Sequence, residues 1–288
     1  MNHPAELALH QYMEDAVSGK TTMSDTTIDQ VASDIKDALS RQFGTQQNGG
    51  GFTLRMSNIG RPTCQLWYDK NKPEVALPKP TTFVMNMMIG DIVEAVFKGL
   101  LKEAGVEYED SKKVTLNLSN TNVSGTYDIV IRDAVDDIKS ASNWSYGNKF
   151  ESFNTLASND AFGYVAQLAG YAKASDKKAG GWWVVNKANG QFKYVPASGI
   201  DIDKEIDKVE QTVKTLDANK FERCFEAEDE TFRGKFTGNK VLCKTCSFCS
   251  YRKDCWPNLV QRPAVLSKAI TPKLVDYVEL TEEYKDAG

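Results

Sequence analysis

The sequence predicts an α/β fold, and three observations carry that expectation. Apolar residues recur at helical spacing over 5–17, 27–43 and 160–174, and again as Ile206, Val209, Val213 and Leu216. Short runs of β-branched and aromatic residues, at 113–118, 124–131, 135–140 and 181–186, read as strands. Two of these runs form one segment, GTYDIVIRDAVDDIKS at 125–140, which reads as a hairpin with a tight turn at Arg132 and Asp133.

Of the two N-terminal helices, the second carries Ile28, Val31, Ile35, Ala38 and Leu39 on one stripe. GTQQNGGGF, residues 44–52, then reads as a flexible linker, so residues 1–52 are expected to be an N-terminal helical appendage. A short strand, TLRM, begins at 53, and Ser57 is placed to cap a helix containing Cys64. FVMNMMIGDIVEAVFKGLLKEAG, 83–105, is apolar around most of its circumference and predicts a buried helix. Its polar strip is Asp91, Lys98 and Lys102, with Glu94 at the edge. On the helix 160–174, Gln167 and Tyr171 lie four apart and share a face. The polar stretch 141–159 reads as a mobile, substrate-facing loop, and a cysteine-rich segment follows residue 240. The expected division is thus 1–52, a core over 53–240, and a tail over 241–288.

At 288 residues and 41% hydrophobic, the chain can bury a sizeable core. It has no apolar run of membrane-spanning length, and the acidic start MNHPAELALHQYMEDAV does not read as a secretory signal, so a cytoplasmic setting is expected. A net charge of −4 excludes a uniformly basic nucleic-acid binder but not a local positive groove. The two histidines, His3 and His10, fall in a segment expected to be peripheral, which argues against histidine-based triads and histidine metal sites. Acid and base work then falls to carboxylates and lysine.

In the hairpin, Tyr127, Ile129 and Ile131 point to one face and Asp128 to the other, while Val135, Asp137 and Lys139 share a face. The assumed turn sets Asp128 opposite Asp137, with side chains about 5 Å apart. Paired carboxylates repel, and a divalent cation held by oxygen ligands answers that repulsion. Asp133 and Asp136 read as a solvated, charged edge.

These elements stand in the order helix with Glu94, hairpin with Asp128 and Asp137-Ile138-Lys139, helix with Gln167 and Tyr171. In this the chain resembles the PD-(D/E)XK nuclease superfamily, in the branch of the RecB nuclease domain, the AddB subunit, the iron-sulfur CRISPR adaptation nucleases and phage recombination exonucleases. GDIVEAV matches the first-helix element through Gly90 and Glu94, where histidine is commoner in iron-sulfur members. GTYD, DIK and QLAGY match the GxxD, acid-x-lysine and QxxxY elements. The resemblance implies a restriction-endonuclease-like core, a central mixed sheet flanked by helices. It also implies Mg²⁺ or Mn²⁺ held by Asp128, Asp137, Glu94 and the Ile138 carbonyl. Lys139 would orient water or counter charge on the phosphate, and Gln167 and Tyr171 would position the scissile strand, with Tyr164 able to share that role.

Six cysteines occur, at 64, 224, 243, 246, 249 and 255, a crowding that favours a metal or cluster in a reducing cytoplasm. The resemblance implies a four-iron, four-sulfur (4Fe-4S) cluster on Cys64, Cys246, Cys249 and Cys255. The spacing also admits a zinc site made by Cys243, Cys246, Cys249 and Cys255, or a ferredoxin-like electron-transfer centre. Cys224 reads as a lone thiol.

The expected function is metal-dependent DNA exonucleolysis, at single strands or duplex ends, in recombination, repair or replication, with a bacterial or phage setting implied. A noncatalytic nucleic-acid-binding protein with a structural zinc or iron-sulfur site is the other class. Arg55, Arg61, Lys149, Arg252 and Lys253 are candidate phosphate contacts, and Trp67, Trp144, Tyr146 and Trp256 candidate stacking residues.

Overall fold

The computed structural model describes residues 3–44 and 51–285; the centre of the expected linker, 45–50, lies outside them. The chain divides into two units, Met1–Gly60 with Pro80–Lys214 and Arg61–Lys79 with Thr215–Gly288.

The first unit opens with α1 (Pro4–Val17) and α2 (Asp25–Phe43). Within the second unit lies α3 (Thr63–Asn71), and the first resumes with α4 (Thr81–Glu103). Ser24 caps α2 and also donates to Glu103 Oε1 at 2.6 Å, tying the start of α2 to the end of α4. Leu9 of α1 is 0% exposed and joins Phe97 and Leu101 of α4 in the main core cluster. The N-terminal helices are therefore packed into the same unit as the sheet, and the division by packing falls at 61, 80 and 215.

Strands β1 (Lys112–Asn117) and β2 (Asn122–Tyr127) form an antiparallel pair. The main sheet has the order β3 (Ile129–Ile131), β4 (Ala134–Ala141), β5 (Lys178–Asn186), β6 (Phe192–Pro196). Neighbours are antiparallel except β4 and β5, whose parallel crossover carries α5 (Phe153–Ser158) and α6 (Tyr164–Ser175). This is a mixed α/β unit, with a central mixed sheet packed against helices. The hairpin turns at the expected residues: Arg132 and Asp133 take φ of 51° and 63°, as a two-residue hairpin requires. The unit ends in α7 (Ile202–Asp217), which runs on into the second.

Four local expectations change. Ser57 lies in a turn, and α3 starts after Pro62 instead. The N-terminal half of α4 is not buried, since Phe83, Val84, Met85 and Met87 are exposed, whereas Lys98 of the expected polar strip is buried. The 141–159 stretch is built, not a plain loop: Ser145–Lys149 forms a π-helical turn and a Ser152–Thr155 capping box starts α5. His3 caps α1 and packs 4.5 Å from the Tyr194 ring, and His10, itself exposed, stacks on Phe192 at 4.3 Å, so both histidines contact β6 of the sheet.

The second unit combines α3 with a four-stranded sheet of β7 (Glu228–Phe232), β8 (Lys235–Val241), β9 (Val260–Pro263) and β10 (Leu274–Glu279), in the order β7-β8-β10-β9. Short helices α8 (Lys244–Ser247) and α9 (Arg252–Cys255) carry tail cysteines. Tyr68 of α3 stacks on Tyr251 at 5.0 Å and donates to Asp254 at 2.8 Å, which holds the two chain segments together. No helix among the described residues is long and apolar enough to cross a membrane.

Leu9→Ala tests whether α1 is core or appendage: deletion of this buried side chain should cost about 2–5 kcal/mol in urea unfolding. A change within about 0.5 kcal/mol would make α1 dispensable.

Candidate active site

The antiparallel register that pairs Ile129 with Asp136 continues outward to set Asp128 across from Asp137. Asp137 is 2% exposed, and Asp128 is half-buried at the edge of a cleft. Ile138 N–H donates to Asp128 Oδ2 at 2.7 Å, which fixes that carboxylate against the neighbouring strand. Burial pushes both acids upward; each is raised further by Glu94, and Asp128 also by Asp137, while Lys139 pulls both down without cancelling the rise.

Lys139 Nζ lies 2.6 Å from Asp137 Oδ2, a close ion pair. The ammonium also donates to Gln167 Oε1 at 3.4 Å and sits 5.0 Å from the Tyr164 ring centroid. Burial works against its charge, but Asp137 and Asp128 more than compensate, so Lys139 stays a cation. Gln167 Nε2 in turn donates to the Tyr171 hydroxyl at 3.5 Å, and burial pushes Tyr171 up to about 12, keeping it a proton donor at neutral pH. The structure thus links Asp128, Asp137, Lys139, Gln167 and Tyr171 in one site, with Glu94 on the same cleft as Asp128. Ile138 is there through its backbone.

As the side chains stand, no group of three or more His, Cys, Asp or Glu among the described residues is gathered closely enough to hold a metal ion. The donor chemistry nevertheless fits a hard divalent cation: Asp128 and Asp137 face each other across one strand pair, and Glu94 raises both.

Asp136 corrects the reading of a solvated edge. It is 1% exposed, and it accepts from Tyr194 OH at 2.8 Å and from Trp183 Nε1 at 3.3 Å. A register shift leaves Gly180 against it, where a Cβ would meet Asp136 Oδ1. Burial pushes Asp136 up to about 7. Asp133 does sit at an exposed turn, paired with Lys177 at 3.1 Å. Among the candidate contact residues, Lys149 is buried, 4.2 Å from the Tyr164 ring centroid, Arg252 pairs with Asp276 at 3.3 Å, and Trp256 is buried under Arg223.

All six cysteines belong to the second unit. Cys64, Cys246, Cys249 and Cys255 line one small cavity with Tyr68, Arg252 and Trp256; Cys243 does not line it. Contact with Cys224 and burial push the Cys64 thiol up, and burial is the main cause for Cys246, Cys249 and Cys255. Four soft thiols on one cavity fit an iron-sulfur cluster. Cys224 is not a lone thiol: Cys64 N–H donates to its Sγ at 3.0 Å, and the Cys64 contact lowers it to about 7.

Sequence reasoning missed the environments of Lys98, Asp136 and Cys224. For Asp136 a signal existed, because strand alternation puts it on the face of Ile138, a core residue. Lys98 stands one helical turn from Glu94, the spacing of a facing ion pair. Cys224 had no local signal.

No protein-family model matches the chain, and no curated protein matches it. A solved structure described as "Crystal structure of SSO0001" aligns with a TM-score of 0.41 at 12% identity, covering 80% of this chain and 96% of that one.

The buried acids set a pH dependence with a definite sign. Asp136 rises from 3.8 to about 7 on folding, so the folded state binds the extra proton; its contribution is full below the unfolded value and lost as pH climbs toward about 7. The metal-free wild type should therefore lose stability relative to Asp136→Asn between about pH 4 and pH 7, by at most about 1.4 kcal/mol per pH unit. Urea unfolding across that window checks it, and a difference that stays constant with pH would refute it.

Proposed function

We propose that this chain is a divalent-metal-dependent deoxyribonuclease that hydrolyses phosphodiester bonds at single strands or duplex ends. The observation that carries the reading is the convergence of Asp128, Asp137 and Lys139 from one hairpin with Gln167 and Tyr171 from α6. A histidine-free site of paired acids and a fixed cation suits phosphate chemistry, in which charge must be neutralised and a water aligned.

Asp128, Asp137, the Ile138 carbonyl and Glu94 would hold Mg²⁺ or Mn²⁺, which when bound supplies Lewis-acid activation of water and phosphate. Lys139 keeps its positive charge beside Asp137, where it opposes charge developing on a phosphate oxygen. Gln167 holds the lysine from the side of α6, and the protonated Tyr171 hydroxyl is a donor for the nucleic-acid backbone. Cys64, Cys246, Cys249 and Cys255 would hold a 4Fe-4S cluster; their shared cavity favours this set over the all-tail zinc set containing Cys243. The reading places the protein in cytoplasmic DNA recombination, repair or replication, in a bacterial cell that can be phage-infected.

End-labelled single- and double-stranded DNA should be cut with Mg²⁺ or Mn²⁺ and left whole in EDTA, and Asp137→Ala and Lys139→Ala should each lose at least about 100-fold in rate. Folded wild-type protein that binds DNA but leaves it uncut in either metal would replace this reading with the noncatalytic one. Protein purified without oxygen should be brown, with broad absorbance near about 400 nm and about four iron and four sulfide per chain. Cys64→Ser should lose that colour. Stoichiometric zinc in colourless protein, unaffected by Cys64→Ser, would favour the tail set.

A further inference from the structure

Lys98 lies one turn beyond Glu94 on α4, and it is a buried cation, 7% exposed. Its ammonium contacts Glu94 Oε1 at 2.8 Å, Asp110 Oδ1 at 3.1 Å and Ser111 Oγ at 2.5 Å. The Asp110 side chain is 68% exposed, so water can solvate it without the lysine; the ammonium, enclosed by protein, depends on these acceptors. Burial works against its charge, but Glu94 and Asp110 more than offset that, so the lysine stays protonated. Lys98 and Arg41 are the cations on a cleft of about 420 Å³ whose other charged residues are Asp34, Asp37, Asp91, Glu94, Asp110 and Asp128.

We infer that Lys98 is a positioning residue that holds the Glu94 carboxylate in the free protein, keeping the metal position served by Glu94 weak until nucleic-acid phosphate enters the cleft. The inference rests on the metal-dependent reading above. A divalent cation approaching Glu94 meets a fixed positive charge one hydrogen bond away, and both cations compete for one carboxylate. Asp128 differs in its hydrogen-bond partner, which is the neutral Ile138 N–H rather than an ammonium bonded to the carboxylate. The two ends of the acidic cleft therefore differ in strength for reasons written in their neighbours. An incoming phosphate adds negative charge beside Glu94 and shifts the balance toward the metal. The i, i+4 spacing also fixes the Glu94 rotamer, so the carboxylate is already placed when the balance shifts.

The test is Mn²⁺ binding, measured by calorimetry and by the electron paramagnetic resonance of free Mn²⁺, on metal-free full-length protein without nucleic acid. Lys98→Met and Lys98→Gln, chosen as two different fillings of one buried site, are compared with wild type after circular dichroism confirms folding. Both variants should bind Mn²⁺ about tenfold more tightly at the weaker position, Lys98→Arg should behave as wild type, and adding Glu94→Gln to Lys98→Met should abolish the gain. A phosphorothioate oligonucleotide should narrow the gap between wild type and Lys98→Met. Unchanged or weaker Mn²⁺ binding in either folded variant overturns the inference and leaves Lys98 a structural ion-pair partner. Absence of Mn²⁺ binding in wild type and variants alike overturns the metal-dependent reading itself, an outcome distinct from the first.

Discussion

The register of one two-residue hairpin governs the candidate site. With Arg132 and Asp133 in the left-handed region, the strands can pair in only one phase, and that phase sets Asp128 across from Asp137. A slip by one residue would turn Asp137 and Lys139 toward the core of Phe97, Leu101 and Trp183 and bring Asp136 and Ile138 to the α6 side. The cost of burying like charges is accepted at this position and met locally by Lys139 and the Ile138 N–H. Gln167 and Tyr171 are then reached because the β4-to-β5 connection is parallel, and a parallel connection must cross the sheet with a helix.

The opposite face of β4 carries a second polar system with different chemistry. There Asp136 is surrounded by neutral donors, the Tyr194 hydroxyl and the Trp183 ring, while Tyr194 N–H donates to Glu6 of α1 at 3.2 Å. These donors offset part of the cost of burying the carboxyl, which burial still pushes up to about 7. Adjacent aspartates in the sequence DD thus answer to opposite rules: one needs a positive charge, the other a pair of ring-borne donors. The N-terminal helix reaches the sheet through this second system as well as through Leu9.

Most helices and strands of the first unit were legible because their periodicities are long and the turn residues mark the hairpin, whereas β6 and the short α5 were not read. Alternation set Asp128 across from Asp137 with Lys139 on the same face, and helical spacing paired Gln167 with Tyr171, but that the two pairs meet was implied only by the family resemblance. What escaped was burial that depends on distant partners. The apolar residues Phe83 to Met87 predicted an enclosed helix, yet nothing in the described residues covers that half of α4 as it covers Phe97 and Leu101. Lys98 looked solvated because charge dominates a local reading, and its partners include, besides Glu94 on its own helix, Asp110 and Ser111 in the loop after it. Cys224 meets Cys64 across 160 residues of chain, a separation no local pattern encodes.

That separation has a consequence in time. The second unit is assembled from two stretches, and Tyr68 must wait for Asp254, 186 residues later, before its hydroxyl has its partner. At ribosomal speeds of about 5–20 residues per second, that wait is roughly 10–40 s. Throughout it the apolar face of α3, with Leu66 and Tyr68, and the thiol of Cys64 emerge into the cell without the residues that will cover them. Nascent chains in this interval carry the Cys64 sulfur and the apolar face of α3 ahead of the partners they meet in the folded second unit.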